Sequence, residues 1–132
     1  MLREKVVAAA SKRVVIIADS SKRSNPLGGF PIPVEVVTFG ARPMELKLLG
    51  MQMHPQLRMA ESGDVPFVTD EGNYILDLDV PEVDCPKSLA AVLDSMPGVM
   101  ANGIFTDLAT EVIMGCDDTV QEFRSESNTS RT

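Results

Sequence analysis

The chain opens on a helical period. Leu2, Val6, Ala9, Ala10 and Arg13 recur at three- and four-residue intervals, with Glu4, Val7, Ala8 and Ser11 on a neighbouring side. The spacing predicts an amphipathic helix with Glu4 at its head. Next, Arg13-Val14-Val15-Ile16-Ile17-Ala18-Asp19 is almost continuously apolar, the pattern of a parallel strand covered on both faces. The loop Ser20 to Gly29 follows, and Lys22 stands just beyond the strand's carboxyl end, where ligands collect in parallel sheets.

From Phe30 the pattern changes. Pro31 and Pro33 predict a linker, since proline has no amide proton to give a central ladder. Val34 to Phe39 reads as a strand, Gly40 as a break, and Arg42 to Leu49 as a helix with Pro43 in its first turn and Gly50 at its end. Residues 52–59 are weakly extended. Pro66–Thr69 and Tyr74–Asp79 read as the arms of a hairpin around Asp70-Glu71-Gly72-Asn73. Pro86 begins a second amphipathic helix running to Met96, Val99–Phe105 is extended, and Glu111–Gly115 is one more short strand. From Gln121 the chain reads as a disordered tail.

The order from residue 34 is strand, helix, strand, strand, helix, strand, the split βαβ arrangement of a ferredoxin-like two-layer module. The first helix and strand, with the strand near residue 112, cannot make a sheet domain alone. The expected fold class is therefore α/β (α+β): a ferredoxin-like βαββαβ small domain inserted in the remnant of a Rossmann-like parallel-sheet domain. Residues 1–29 and 99–120 are expected to form the remnant of the large catalytic domain, residues 30–98 the small domain, and residues 121–132 the tail.

Bulk properties narrow the function classes. The 132 residues suffice for one domain, or for a small domain plus part of another. With no Trp and eight Met, the core must be filled by aliphatic and thioether side chains; Met44, Met51, Met53 and Met59 are expected in core gaps or at a subunit interface. The net charge of −7 is uneven, because residues 1–25 carry six Lys/Arg against Glu4 and Asp19. An acidic body argues against nucleic acid, and the small basic start suits a small anion such as a phosphate ester. No apolar run reaches the roughly 20 residues of a membrane span. Cys85 and Cys116 lack CxxC spacing and read as reduced packing residues of a cytoplasmic protein, an organelle such as a plastid staying open. His54 has no second ligand nearby in sequence, so no metal site is expected. Asp77, Asp79, Glu82 and Asp84 read as a wet face rather than a calcium loop.

Several stretches together resemble the C-terminal part of the ribose-5-phosphate isomerase A family. They are Leu2-Arg3-Glu4-Lys5, Ala18-Asp19-Ser20-Ser21-Lys22, Leu27-Gly28-Gly29-Phe30-Pro31-Ile32-Pro33-Val34-Glu35-Val36, Val68 to Asp77, and Pro97-Gly98-Val99 with Gly103-Ile104-Phe105. The resemblance implies that Glu4 is the proton acceptor and that Lys22 contacts the substrate. It also implies interconversion of ribose 5-phosphate and ribulose 5-phosphate, in the non-oxidative pentose phosphate pathway, with no metal and no organic cofactor. The family's phosphate-cradling loop, its Asp-Gly-Ala-Asp turn and its Lys-Gly-Gly-Gly segment precede the Arg-Glu-Lys stretch and have no counterpart after Met1. The chain is therefore expected to be an N-terminally shortened form, a fragmentary gene product or a divergent paralogue, weakly active or inactive alone. A homo-oligomer, or association with a full-length subunit, is the expected partnership. Judged without these stretches, Glu4 is an ordinary exposed helix carboxylate and Lys22 a solvated loop lysine. The alternative of a different class is a non-catalytic ferredoxin-like binding or assembly module.

Overall fold

In a computed structural model, which describes residues 1–24 and 27–125, the chain forms two compact units. One is Pro26–Ile104 together with Met1–Leu2; the other is Arg3–Asn25 with Phe105–Thr132.

The first unit holds β2 (Ile32–Val36), α2 (Ala41–Gly50), β3 (Pro55–Leu57), β4 (Tyr74–Leu78), α3 (Pro86–Asp94) and β5 (Val99–Asn102). Its strands lie in the order β3-β4-β2-β5, every neighbouring pair antiparallel. Register sets the layers. Ile32, Val34 and Val36 stand opposite Leu78, Leu76 and Tyr74, and this face joins Met44 and Leu48 of α2 and Ala90 and Leu93 of α3 in one cluster. Leu48, Leu76, Leu78, Leu93, Val34 and Val36 are fully buried, each burial stabilising the unit by about 1.5–3 kcal/mol. On the opposite face Glu35 is also buried. Its Oε1 accepts from Thr69 Oγ1 at 2.9 Å and Asn73 Nδ2 at 3.0 Å.

Several expectations need correction here. Pro33 lies inside a central strand rather than a linker. Its carbonyl accepts from Gly103 N at 2.7 Å, so its nitrogen, on the same edge, faces Gly103, one residue past the end of β5. No ladder bond is lost there. Gly103 has to be glycine, because a Cβ would sit 2.6 Å from the Pro33 ring. The strand expected to run to Phe39 stops at Val36, and a 3-10 turn, Thr38–Gly40, leads straight into α2. Phe39 is left in solvent. The turn at 69–73 forms, with Gly72 N on Thr69 O and Thr69 N on Asn73 O. However, Pro66–Thr69 does not continue as a strand. Phe67 N bonds Arg58 O instead, and β3 takes the edge of β4.

The boundary expected between residues 98 and 99 falls elsewhere. Val99–Asn102 pair with β2 and close this sheet. At the other end Leu27 bridges Val83, and Gly28 lies so close to the Pro81 carbonyl that a Cβ would meet it at 2.4 Å. Cys85 is exposed rather than packed. It precedes α3 with its sulfur 3.0 Å from Ser88 Oγ, and that hydrogen bond, with Lys87 nearby, lowers its thiol pKa. Met44 is buried and Met53 packs against the cluster, whereas Met51 and Met59 are exposed.

The second unit contains α1 (Leu2–Ala10), β1 (Val15–Asp19), β6 (Glu111–Cys116) and β7 (Thr119–Arg124). Its sheet runs β1-β6-β7, with β1 parallel to β6 and β7 antiparallel to β6. Residues 121–124, expected to be disordered, are strand, paired with residues 111–114. The rest of the expected tail, 126–132, lies outside the described residues. Parallel pairing of the first strand is as its apolar run foretold, but cover on both faces is not. Ile16 is 41% and Ile17 78% exposed, and because adjacent strand residues face opposite sides, both faces of β1 are open. The helix face expected to be apolar is likewise outward: Val6 is 59% exposed, and Ala8 is the buried residue of α1.

Candidate active site

Glu4 and Lys22 both belong to the second unit. Glu4 is in the first turn of α1, where the free amides of a helix start favour negative charge. Its carboxyl is held below the ordinary range, first by a hydrogen bond with the amino group of Met1 and then by its own backbone amide. It is a base at neutral pH.

Asp19 organises the turn that carries Lys22. Asp19 precedes the 3-10 turn Ser20–Lys22, and its Oδ1 accepts from Ser21 N at 3.0 Å and from Ser21 Oγ. These bonds, with the nearby Lys22 charge, lower the Asp19 pKa. Arg23 N closes the turn on Ser20 O at 3.1 Å. The lysine thus rides on a tied turn. The Asp-Ser-Ser order carried that signal in sequence, since a short acidic side chain caps the amide two residues on.

Three further contacts build the region and were not foreseen. Thr110 clasps the start of β1, its Oγ1 accepting from Val14 N at 3.0 Å and donating to Val14 O at 2.9 Å. Arg13 meets Glu111 in a two-pronged ion pair at 3.0 and 2.8 Å, which raises the arginine and lowers the carboxylate. Lys5 stands over the Phe105 ring, 5.4 Å from its centre, inside cation–π range. Each joins residues far apart in sequence, so no local pattern announces it.

Glu4 also lines a hollow of about 540 Å³ within the unit. Arg3 and Arg13 line it too, but most of its wall is apolar: Val7, Ile16, Phe105 and neighbours. Lys22 is outside this hollow. The two predicted site residues thus belong to one unit but do not line one cavity. Such walls suit side chains rather than a sugar phosphate, which needs many hydrogen-bond donors.

A sequence model described as Ribose 5-phosphate isomerase A (phosphoriboisomerase A) matches residues 1–119. The chain belongs to the ribose 5-phosphate isomerase A family. Among curated relatives, the ribose-5-phosphate isomerase A of Ruegeria pomeroyi is 44% identical across 94% of this chain and 49% of that protein. The protein of the same name from Sphingopyxis alaskensis is 42% identical across 92% of this chain and 52% of its own. Among solved structures, ribose 5-phosphate isomerase A of Methanocaldococcus jannaschii superposes with a TM-score of 0.87 at 32% identity, covering 94% of this chain and 55% of that one. A D-ribose-5-phosphate isomerase in complex with phospho-erythronic acid gives 0.87 at 31% identity, covering 92% and 54%. The chain spans about half the length of the relatives it matches. Among the described residues no helix is long and apolar enough to cross a membrane.

Proposed function

We propose that this chain is the part of a ribose-5-phosphate isomerase that carries the proton-transferring carboxylate, Glu4, and a substrate-contacting cation, Lys22. The observation that carries the proposal is the family match over residues 1–119, which takes in both residues. The substrate is then a pentose 5-phosphate, as the phospho-erythronic acid held by a family member suggests. In the forward direction the Glu4 carboxylate removes the C2 proton of the open-chain aldose, leaving an enediolate with its negative charge on O1, and the O2 hydroxyl proton then passes to O1. The same carboxyl returns its proton to C1 of the enediolate as O2 becomes the ketone oxygen, one group serving as base and then as acid. Cations and hydrogen-bond donors must hold the negative oxygen between the two steps, and Lys22 takes part of that duty in this reading. The reaction is internal to the sugar and needs no redox partner. The three-stranded unit is the remnant of the catalytic α/β domain, and the four-stranded unit is a ferredoxin-like domain inserted between β1 and β6. We place the enzyme in the cytoplasm.

The assay is ketopentose formation from ribose 5-phosphate by the purified chain and by the chain joined to the amino-terminal half of a family member. The expected result is little or no turnover alone and turnover in the joined protein, abolished by Glu4→Gln. Absence of turnover in both, or turnover indifferent to Glu4→Gln, overturns the proposal.

The closed core of the four-stranded unit favours one other reading, a non-catalytic ferredoxin-like binding or assembly module. Under it, residues 26–104 fold alone and associate with a full-length subunit while the catalytic residues idle.

A further inference from the structure

Phe105 begins the segment that returns to the three-stranded unit. It opens a strap, residues 105–111, which is tied to the α1–β1 segment at two places. At the far tie, Thr110 N and Glu111 N both donate to Val14 O, at 2.9 and 3.1 Å, beside the Thr110 hydroxyl clasp and the Arg13–Glu111 ion pair. Between the ties Asp107 takes a φ of +59°, a left-handed bend that a short acidic side chain tolerates. At the near tie the Lys5 ammonium lies over the Phe105 ring, 5.4 Å from its centre. Phe105 also shares the wall of the hollow with Glu4.

A helix of nine residues does not hold its own first turn. The first amides of any helix have no partner within it, and so short a helix is marginal in water without packing. Here packing is thin, since Ala8 is the buried residue of α1 while Val6 and Val7 are exposed. Contacts made by the strap therefore bear on where the head of α1 stands. The far tie fixes the connection that follows the helix, and the near tie reaches Lys5, the chain neighbour of Glu4. We propose that Phe105 is a positioning residue for the proton-transferring carboxylate: by holding the Lys5 ammonium over its ring it fixes the head of α1, and with it the place of Glu4 on the wall of the hollow. The inference deepens the proposed function and rests on Glu4 being the base. A cation is drawn to the negative face of an aromatic ring and not to apolar bulk, so leucine at 105 keeps the wall but loses the hold.

The test is made by NMR on the whole 132-residue chain and needs no turnover. A Glu4 that is held as described but transfers no proton defeats the catalytic reading alone, whereas a Glu4 indifferent to the ring defeats this one. The ε-methylene protons of Lys5 are expected upfield of their ordinary position, within the ring current of Phe105. Phe105→Leu should abolish that displacement and speed exchange at the Val6, Val7 and Ala8 amides about two- to fivefold, the factor a partly exposed cation–π contact supports. It should also move the Glu4 titration, which lies below 4.5 in the folded chain, back towards that value. Phe105→Tyr, which keeps the ring face, should restore all three. Lys5→Met keeps the stem and removes the charge; it should speed the same amides by the same factor, and the double variant should add nothing. Exchange at Ile113, inside the sheet, is expected to stay as it is. Should Phe105→Leu loosen the sheet as well, Lys5→Met, which leaves the ring in place, decides the matter by itself. Lys5 protons at their ordinary position, amides and Glu4 titration unmoved by Phe105→Leu, or additive effects in the double variant overturn the proposal.

Discussion

The two units use the same materials and reach different ends. In the four-stranded unit, β2 and β4 each have a neighbour on both edges, and two helices cover one face. A run such as Tyr74-Ile75-Leu76-Asp77-Leu78 has a place for every side chain: Leu76 and Leu78 go into the core, and Asp77 meets Arg58 in a two-pronged pair at 2.8 and 2.6 Å. In the three-stranded unit, the more apolar run Val15-Ile16-Ile17-Ala18 leaves its isoleucines in water. Hydrophobic sequence thus does not make a core. A core needs a second layer, and α1 with three strands offers too little surface to make one.

Substitutions can break or sharpen this contrast. The largest effect is expected at Leu76→Ala, which opens a cavity in the closed core and should cost roughly 2–5 kcal/mol in urea unfolding. A loss within about 0.5 kcal/mol, as for an ordinary surface site, would erase the distinction between the units. Gly103→Ala tests the sheet's outer seam, since its new methyl meets the rigid Pro33 ring at 2.6 Å; about 1–3 kcal/mol is expected from the same measurement. Glu35→Ala should cost on the order of 1–3 kcal/mol by stranding the Thr69 and Asn73 donors. Glu35→Gln, which keeps an acceptor oxygen, should cost less. In the open unit Ile17→Ala should move the unfolding midpoint hardly at all, by less than about 0.5 kcal/mol, and amides of β1 should exchange far faster than those of β2 and β4.

The smallest effect is a pH dependence at the Arg13–Glu111 pair. The guanidinium lowers the Glu111 pKa from 4.5, so the folded state holds its carboxylate more strongly than the unfolded chain does. Whatever the pair contributes is complete above pH 4.5 and fades as pH falls through the lowered value. Faster exchange at the start of β6 on acidification, absent in Glu111→Gln, is the signature. An unchanged profile in that variant would assign the acid response elsewhere.

Much of the closed unit was legible along the chain. The order of its strands and helices follows from alternation in Tyr74–Leu78 and from prolines at helix starts in Pro43 and Pro86. What misled was local chemistry judged without neighbours. Pro33 looked unfit for a central strand until Gly103 was seen to end the ladder beside it, and Pro66–Thr69 looked like a hairpin arm until Arg58 and β3 claimed the bonds. At the candidate site, Glu4 and Lys22 were singled out by the family resemblance of the stretches that hold them. Asp19, Thr110 and the Lys5–Phe105 contact were not named for the roles they take.

The sequence by itself determined the three helices and the strands Val15–Asp19, Tyr74–Leu78 and Glu111–Cys116, since period and turn residues act over a few positions. It also determined the family, through residues held in order along the chain. Tertiary structure alone decided that Val99–Asn102 closes the four-stranded sheet, that Gln121–Arg124 is a strand on β6, and that β1 stands open. Pairing and burial depend on which surfaces meet, and that is a property of residues distant in sequence rather than of any one run.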